Sequence, residues 1–241
     1  MNRKRPHYTE SNAGLPPEER FRRVIRIFGK LRGDRLLDMG CGDGAATMAL
    51  QKAMGAKEAV GVDIDHAAVA TAREKGVEAF QGDINSIELP YEDAYFDAAY
   101  CGEVIEHLFD PDHLLDEVYR LLRPRGVCVI TTPNLSSWSS RFALLMGYQP
   151  YPMEVSLRYE GTGKLLIRGS EGQRDHIRVF TKRAFGELLR SHSFKIMRMQ
   201  GCTATVNSSP SMLGSFIRTA DNVMSKFPSL ATRVIAVVER E

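Results

Sequence analysis

Leu36-Leu37-Asp38-Met39-Gly40-Cys41-Gly42-Asp43-Gly44 decides the fold of this chain. The apolar run Arg35–Met39 before the glycines reads as a buried strand, and Ala45–Met54 after them as a helix. Glycines at 40, 42 and 44 permit a tight turn and let a ligand come close to the backbone. Many nucleotide-binding folds share a glycine-rich strand–turn–helix, so the turn alone leaves the ligand open. Asp38 narrows the choice. A carboxylate just before the glycines opposes a pyrophosphate and suits a ligand with a cationic amino-acid end.

Outward from this turn the pattern repeats. Glu58–Val62 reads as strand two, and Asp65 caps a helix running to Lys75. Val77–Gln81 reads as strand three and Asp97–Cys101 as strand four. Pro111–Leu122 is helical and stopped by Arg123-Pro124-Arg125-Gly126, with strand five at Val127–Thr132. Strands alternating with helices predict an α/β fold around a parallel sheet. Two more acids sit at strand ends. Asp63 closes Val60-Gly61-Val62-Asp63, where a carboxylate accepts from both hydroxyls of a ribose. Asp83, in Gly82-Asp83-Ile84, suits an adenine amino group, with Ile84 against the ring. Together these acids describe adenosine joined to an amino acid, with no phosphate.

The chain resembles the class I S-adenosylmethionine-dependent methyltransferases, most closely from Arg35 to Thr132. The resemblance rests on Leu36–Gly44, Val60–Asp63, Gly82-Asp83 and Leu121-Leu122-Arg123-Pro124-x-Gly126. It implies a Rossmann-like, seven-stranded, mostly parallel sheet of order 3-2-1-4-5-7-6 with the last strand antiparallel. The implied cofactor is S-adenosylmethionine, and the expected cofactor-binding set is Asp38, Gly40, Cys41, Gly42, Asp63, Ile64, Asp83, Ile84 and Cys101.

Strand four runs into Cys101-Gly102-Glu103-Val104-Ile105-Glu106-His107-Leu108. If a helical turn begins there, Glu103, Glu106 and His107 can share one face. Two carboxylates and an imidazole form a candidate site for Mg²⁺ or Mn²⁺. The string resembles the Glu-x-x-Glu-His of small-RNA 3′-terminal 2′-O-methyltransferases, whose metal is also held by a later histidine. Asp175-His176-Ile177-Arg178-Val179-Phe180-Thr181 matches that later stretch. The resemblance therefore implies Glu103, Glu106, His107 and His176 as metal ligands, with Glu103, Glu106 and His107 as catalytic residues. Ubiquinone-biosynthesis O-methyltransferases carry the same string and act on a catechol. A metal-free role for His107 as general base stands beside this reading, because an imidazole titrates near neutrality. A purely structural role for these residues also remains open.

The expected activity is transfer of a methyl group to the oxygen of a small hydroxylated acceptor. RNA ribose 2′-O-methylation and a cofactor-binding regulatory subunit without turnover are the alternatives. The oligomeric state is unspecified by the sequence.

Composition bounds these readings. The 241 residues are 43% hydrophobic and 26% charged, as in an ordinary soluble domain. No apolar run is long enough to span a bilayer, and no signal-peptide pattern opens the chain, so the cytoplasm is the expected compartment. None of the four cysteines forms a CxxC pair, so reduced thiols are expected.

The net charge of +2 hides a division: residues 1–33 hold nine Lys/Arg and three Glu. The expected organisation is one methyltransferase domain over 1–241. It consists of a basic leader and first helix (1–33), a cofactor-binding half (34–132), a substrate lid inserted after strand five (133–175) and a C-terminal part of the sheet (176–241). Within the lid, Ser137–Met146 reads as a short helix. Helices at Thr181–Ser191 and Ser211–Lys226 and strands at Phe194–Met199 and Arg233–Val238 follow. The stripe Leu213, Phe216, Ile217, Ala220, Val223, Met224 and Phe227 reads as core packing. Contact of Phe227 and the leader with a membrane surface is the alternative.

Overall fold

A computed structural model describes residues 19–156, 158–159, 161–165, 176–203 and 212–241. The leader 1–18, Asp175, Ser211 and most of the glycine-containing patch 161–172 therefore lie outside the described residues. Seven strands form one sheet: β1 (Arg35–Met39), β2 (Glu58–Asp63), β3 (Glu78–Gln81), β4 (Phe96–Gly102), β5 (Leu122–Pro133), β6 (Phe194–Cys202) and β7 (Arg233–Arg240). Their order is β3-β2-β1-β4-β5-β7-β6, as expected from the resemblance. The β1–β2, β1–β4, β2–β3 and β4–β5 pairs are parallel, and β7 is antiparallel to both of its neighbours.

Successive residues along the central strands are buried on opposite faces, because side chains alternate with period two. Leu36, Ala98, Tyr100, Val129 and Ile235 face α1 (Glu19–Phe28) and α2 (Ala45–Met54), where they meet Phe21, Val24, Phe28 and Leu50. Leu37, Ala99, Cys101, Ile130 and Ala236 face the other layer. There they pack with Leu114, Leu115 and Val118 of α4 (Pro111–Leu121) and with Phe185 and Leu189 of α6 (Lys182–Ser191). Cys41 joins Val69, Ala72, Val77 and Ala79 in a smaller cluster beneath α3 (His66–Glu74). All four cysteines are free and buried.

Local chemistry fixes the helix starts. Asp65 Oδ1 accepts from the Ala67 and Ala68 amides at 2.8 and 2.9 Å. Asp110 caps α4 ahead of Pro111, and Thr181 caps α6 through the Ala184 amide at 3.1 Å. α5 (Trp138–Leu145) is the helix expected within the lid, and α7 (Met212–Met224) follows the described end of β6. Strand five departs from expectation. It begins at Leu122, so Arg123-Pro124-Arg125-Gly126 continues as extended chain. The β4–β5 register shifts between Phe96 and Ala98, and Arg125 takes a φ of 65° there. A bulge thus absorbs the proline and glycine that read as a stop. β6 likewise runs three residues past Met199.

His192, just after α6, ties this helix to α4. Its Nδ1 lies 2.7 Å from Asp116 Oδ1 and its Nε2 2.8 Å from Asp112 Oδ1. Burial opposes charge on the ring, but the two carboxylates overcome it and raise the imidazole pKa above its ordinary value. The clamp therefore contributes fully below the unfolded-state pKa and is lost as pH rises through the higher folded value. His192→Asn should cost about 1 kcal/mol at pH 6 and little at pH 9, read from urea unfolding at both pH values. Equal losses at both would contradict a charged clamp.

Candidate active site

The turn after β1 is held from β2. The Gly40 and Cys41 amides both donate to Val62 O, at 2.7 and 2.9 Å, and the Gly42 amide donates to Asp63 Oδ2 at 2.8 Å. Gly40, Gly42 and Gly44 all adopt positive φ, at 89°, 52° and 77°. At Gly40 the need is also steric, since a Cβ there would lie 2.2 Å from Val104 Cγ2. The glycine turn therefore abuts the segment that carries Glu103, Glu106 and His107.

Asp38 is buried at the end of β1, with Oδ2 accepting from Thr47 Oγ1 at 2.6 Å. Its Oδ1 is buried with no hydrogen-bond partner. Burial, aided by the negative charge of Asp63 and opposed by the Thr47 hydroxyl, pushes its pKa up to about 7. An orphaned, desolvated acceptor is costly, and a cationic amino group is the partner that would satisfy it. The residues present thus fit the amino-acid end of S-adenosylmethionine.

Asp63 accepts backbone bonds on both oxygens, from Gly42 N at 2.8 Å and Asp65 N at 2.9 Å, which fixes the carboxylate beside the turn. Asp83 Oδ1 accepts from the amide and the side chain of Asn85, at 2.9 and 2.7 Å. The two isoleucines of the expected cofactor-binding set differ in exposure. Ile84 is 7% exposed and packed in the main core, whereas Ile64 is 52% exposed beyond β2. Two further expectations are corrected at the level of side chains. The Cys41 side chain packs under α3, and Cys101 is fully buried with its sulfur 4.0 Å from Cys128 Sγ.

The acids after β4 divide. Glu106, His107 and His176 each present a ligating atom within 4.8 Å of the others, and Glu103 stands outside this cluster. Glu103 has a φ of 57°, and a short 3₁₀ turn, Ile105–His107, follows it in place of an α-helical turn. That left-handed residue turns Glu103 away from the face expected from helical spacing. Its Oε2 instead meets Arg233 Nε at 2.8 Å, and its Oε1 lies 3.8 Å from Arg20 Nη1. Burial alone would raise the Glu103 pKa, but Arg233 and Arg20 hold it below the usual carboxylate value.

Glu106 is the converse case. It is 1% exposed, Oε2 accepts from Thr132 Oγ1 at 3.1 Å, and Oε1 is buried without a partner. Burial first, and the charge of Glu103 second, raise its pKa well above the ordinary value. Its carbonyl accepts from the Ile177 and Arg178 amides, at 2.7 and 3.0 Å, which brings the segment after the lid to the cluster. His176 Nδ1 lies 2.8 Å from Pro152 O, so it is the donating nitrogen, and Nε2 is left with a lone pair. The His107 and His176 rings meet edge-on at 4.9 Å. One carboxylate and two imidazoles form a softer donor set than the two carboxylates and two imidazoles expected, closer to Mn²⁺ than to Mg²⁺.

Thr47, Arg20, Arg233, Thr131 and Thr132 complete the site and were not anticipated as site residues. Arg20 Nη1 donates to Thr131 Oγ1 at 3.1 Å across the sheet. The Thr131-Thr132 pair did carry a signal, its place at the carboxyl end of strand five, where α/β sheets set their sites. The two arginines carried none.

Residues 37–130 match the methyltransferase-domain family. The chain is 36% identical over 127 residues to the ubiquinone biosynthesis O-methyltransferase of Alkalilimnicola ehrlichii, covering 51% of each chain. It is 35% identical over 161 residues to the demethylmenaquinone methyltransferase of Staphylococcus aureus, covering 62% of this chain and 61% of that one. It thus spans about half the length of the curated relatives it matches. Its fold is similar to that of an S-adenosylmethionine-dependent methyltransferase from Mesorhizobium loti, with a TM-score of 0.60 at 20% identity over 90% of this chain and 96% of that one. Sheet order, glycine turn and matched domain agree: residues 37–130 match a methyltransferase domain, set within a seven-stranded Rossmann-like sheet.

Proposed function

We propose that the protein transfers a methyl group from S-adenosylmethionine to the hydroxyl of a small acceptor, with a divalent metal held by Glu106, His107 and His176. The observation that carries this reading is the contact between the glycine turn and the acid–histidine turn through Gly40 and Val104. It sets the cofactor loop beside a buried, unsatisfied carboxylate oxygen and two imidazoles.

S-adenosylmethionine supplies an electrophilic methyl group, and a bound divalent cation supplies Lewis acidity that makes an acceptor hydroxyl easier to deprotonate. The chain supplies position. Asp38 receives the cofactor's amino group on Oδ1, and Asp63, already oriented by two backbone amides, receives the ribose. Ile64 offers an apolar surface for the base. Thr132 orients Glu106, and the Pro152 carbonyl fixes the His176 tautomer so that Nε2 faces the ligand role. Glu103 organises the site through Arg20 and Arg233.

The quinone-pathway names of two relatives support a small hydroxylated ring as acceptor. RNA ribose is the second reading, favoured by the convergence of Glu106, His107 and His176, which match the RNA enzymes' ligands.

Two measurements test this reading. Below pH 7 Asp38 is mostly protonated in the free protein, and the cationic ligand binds the ionised form. Calorimetry should therefore show affinity for S-adenosylmethionine rising roughly tenfold from pH 6 to pH 8, with a flat profile in Asp38→Asn. A flat profile in the unsubstituted protein would contradict the assignment. In methyl-transfer assays on catechols, hydroquinones and RNA 3′ ends, Mn²⁺ should support turnover, and chelation or His176→Ala should lower it at least roughly tenfold. Full activity after chelation, lost only in His107→Ala, would replace the metal with His107 as sole base.

A further inference from the structure

α5 is built inside out. Its buried residues are the small Ser140 and Ala143, and half-buried Trp138 seats its first turn. The large apolar groups after Trp138 point away. Phe142, Leu144, Leu145 and Met146 are 50%, 57%, 82% and 56% exposed, and Tyr148, just beyond, is 40% exposed. An ordinary surface helix buries such residues, and five of them clustered on one helix and its following turn mark a surface that meets something apolar.

Charge says what kind of partner. Leu144 and Leu145 lie three and four residues beyond Arg141, on the same side of the helix. Arg141 in turn lines a cavity of ≈ 500 Å³ with Lys182, Arg183 and Arg190 of α6. Glu187 is the acid beside them, and it is engaged with Arg183 at 2.9 Å. The Arg141 guanidinium is held in place by the Ser136 carbonyl at 2.8 Å. Apolar side chains projecting beside fixed cations are the pattern of a protein that inserts shallowly into an anionic lipid surface.

A second copy of the chain is a poorer occupant. A two-fold contact through this face would set the patch against itself and bring the same cations together. The helix itself is firmly seated. α5 follows directly from the carboxyl end of β5, and Trp138 Nε1 donates to Asp221 of α7 at 3.1 Å, fixing the helix against the body.

We propose that the outer face of α5 and the Arg141–Arg190 cavity form a docking surface for an anionic bilayer. This places lipid contact on the lid helix, whereas the alternative read from the sequence placed it at Phe227 and the leader. The assignment stands apart from the acceptor's identity, since vesicle binding is read without turnover.

The test is co-sedimentation of the full chain with vesicles of phosphatidylcholine alone and with one-third phosphatidylglycerol, at low and high salt. The expected result is binding to the anionic vesicles at least tenfold tighter than to the neutral ones. It should be weakened at least tenfold in Leu144→Ser/Leu145→Ser and in Lys182→Glu/Arg190→Glu, each checked for an unchanged unfolding midpoint. Salt should weaken the binding of the unsubstituted chain and of the apolar double variant. Equal binding to both vesicle types, or binding unaffected by both double variants, would overturn the proposal. So would a dimer by light scattering that dissociates in Leu144→Ser/Leu145→Ser, which would assign the face to a second copy.

Discussion

The tie between the β1 turn and the end of β2 is the constraint on which the site depends. Two amides converge on the Val62 carbonyl, and a third reaches the Asp63 carboxylate. This geometry requires left-handed backbone at Gly40 and Gly42, and it requires the absence of a side chain at Gly40, where Val104 closes in. With the turn fixed, Asp38, Asp63 and the cluster after β4 acquire fixed relative positions. A Cβ at Gly61 would likewise meet Cys41 Sγ at 2.6 Å, so the same turn is wedged from beneath by its own cysteine. The cofactor loop is thus shaped by packing before any ligand arrives, which is the condition for a preorganised site.

Electrostatics then separate two glutamates that are three residues apart. Glu103 is given two arginines and stays ionised below the usual range. Glu106 is given a threonine and two histidine neighbours, and its carboxyl is driven the other way. Two like charges this close in a buried setting cannot both be left uncompensated. The left-handed residue at 103 is the backbone device that sends them to different partners. A buried acceptor with no hydrogen-bond donor is a cost in the free protein, and Asp38, Glu103 and Glu106 each carry one, Glu103 with arginines beside it to offset the charge. Such costs persist where a ligand relieves them.

Much of the fold was legible because its signals are local. Alternating apolar runs and helical segments, the cap at Asp65 and the glycine turn each act over a few residues, and the resemblance supplied the sheet order. What failed to show depends on distant partners or on a single backbone torsion. The Arg20–Thr131 bond joins residues 111 apart, and the Arg233–Glu103 pair is similarly remote. Helical spacing placed Glu103 with Glu106 and His107, but one positive φ removed it. Ile84 and Ile64, both expected at the cofactor, differ in exposure because burial at a strand end is decided by the packing of neighbouring loops. The proline-and-glycine stop before β5 was read correctly as the end of a helix, while the bulge that continues it into the sheet was invisible.

The central claim is that the turn after β1 binds S-adenosylmethionine with its reactive end toward Glu106, His107 and His176. A crystal structure of the chain with S-adenosylhomocysteine tests it most directly. The account predicts the amino group within hydrogen-bond distance of Asp38 Oδ1, the ribose hydroxyls on Asp63, and the sulfur on the side of the turn that faces the cluster. A ligand bound elsewhere, or bound in the turn with its sulfur directed away from His107, would contradict it.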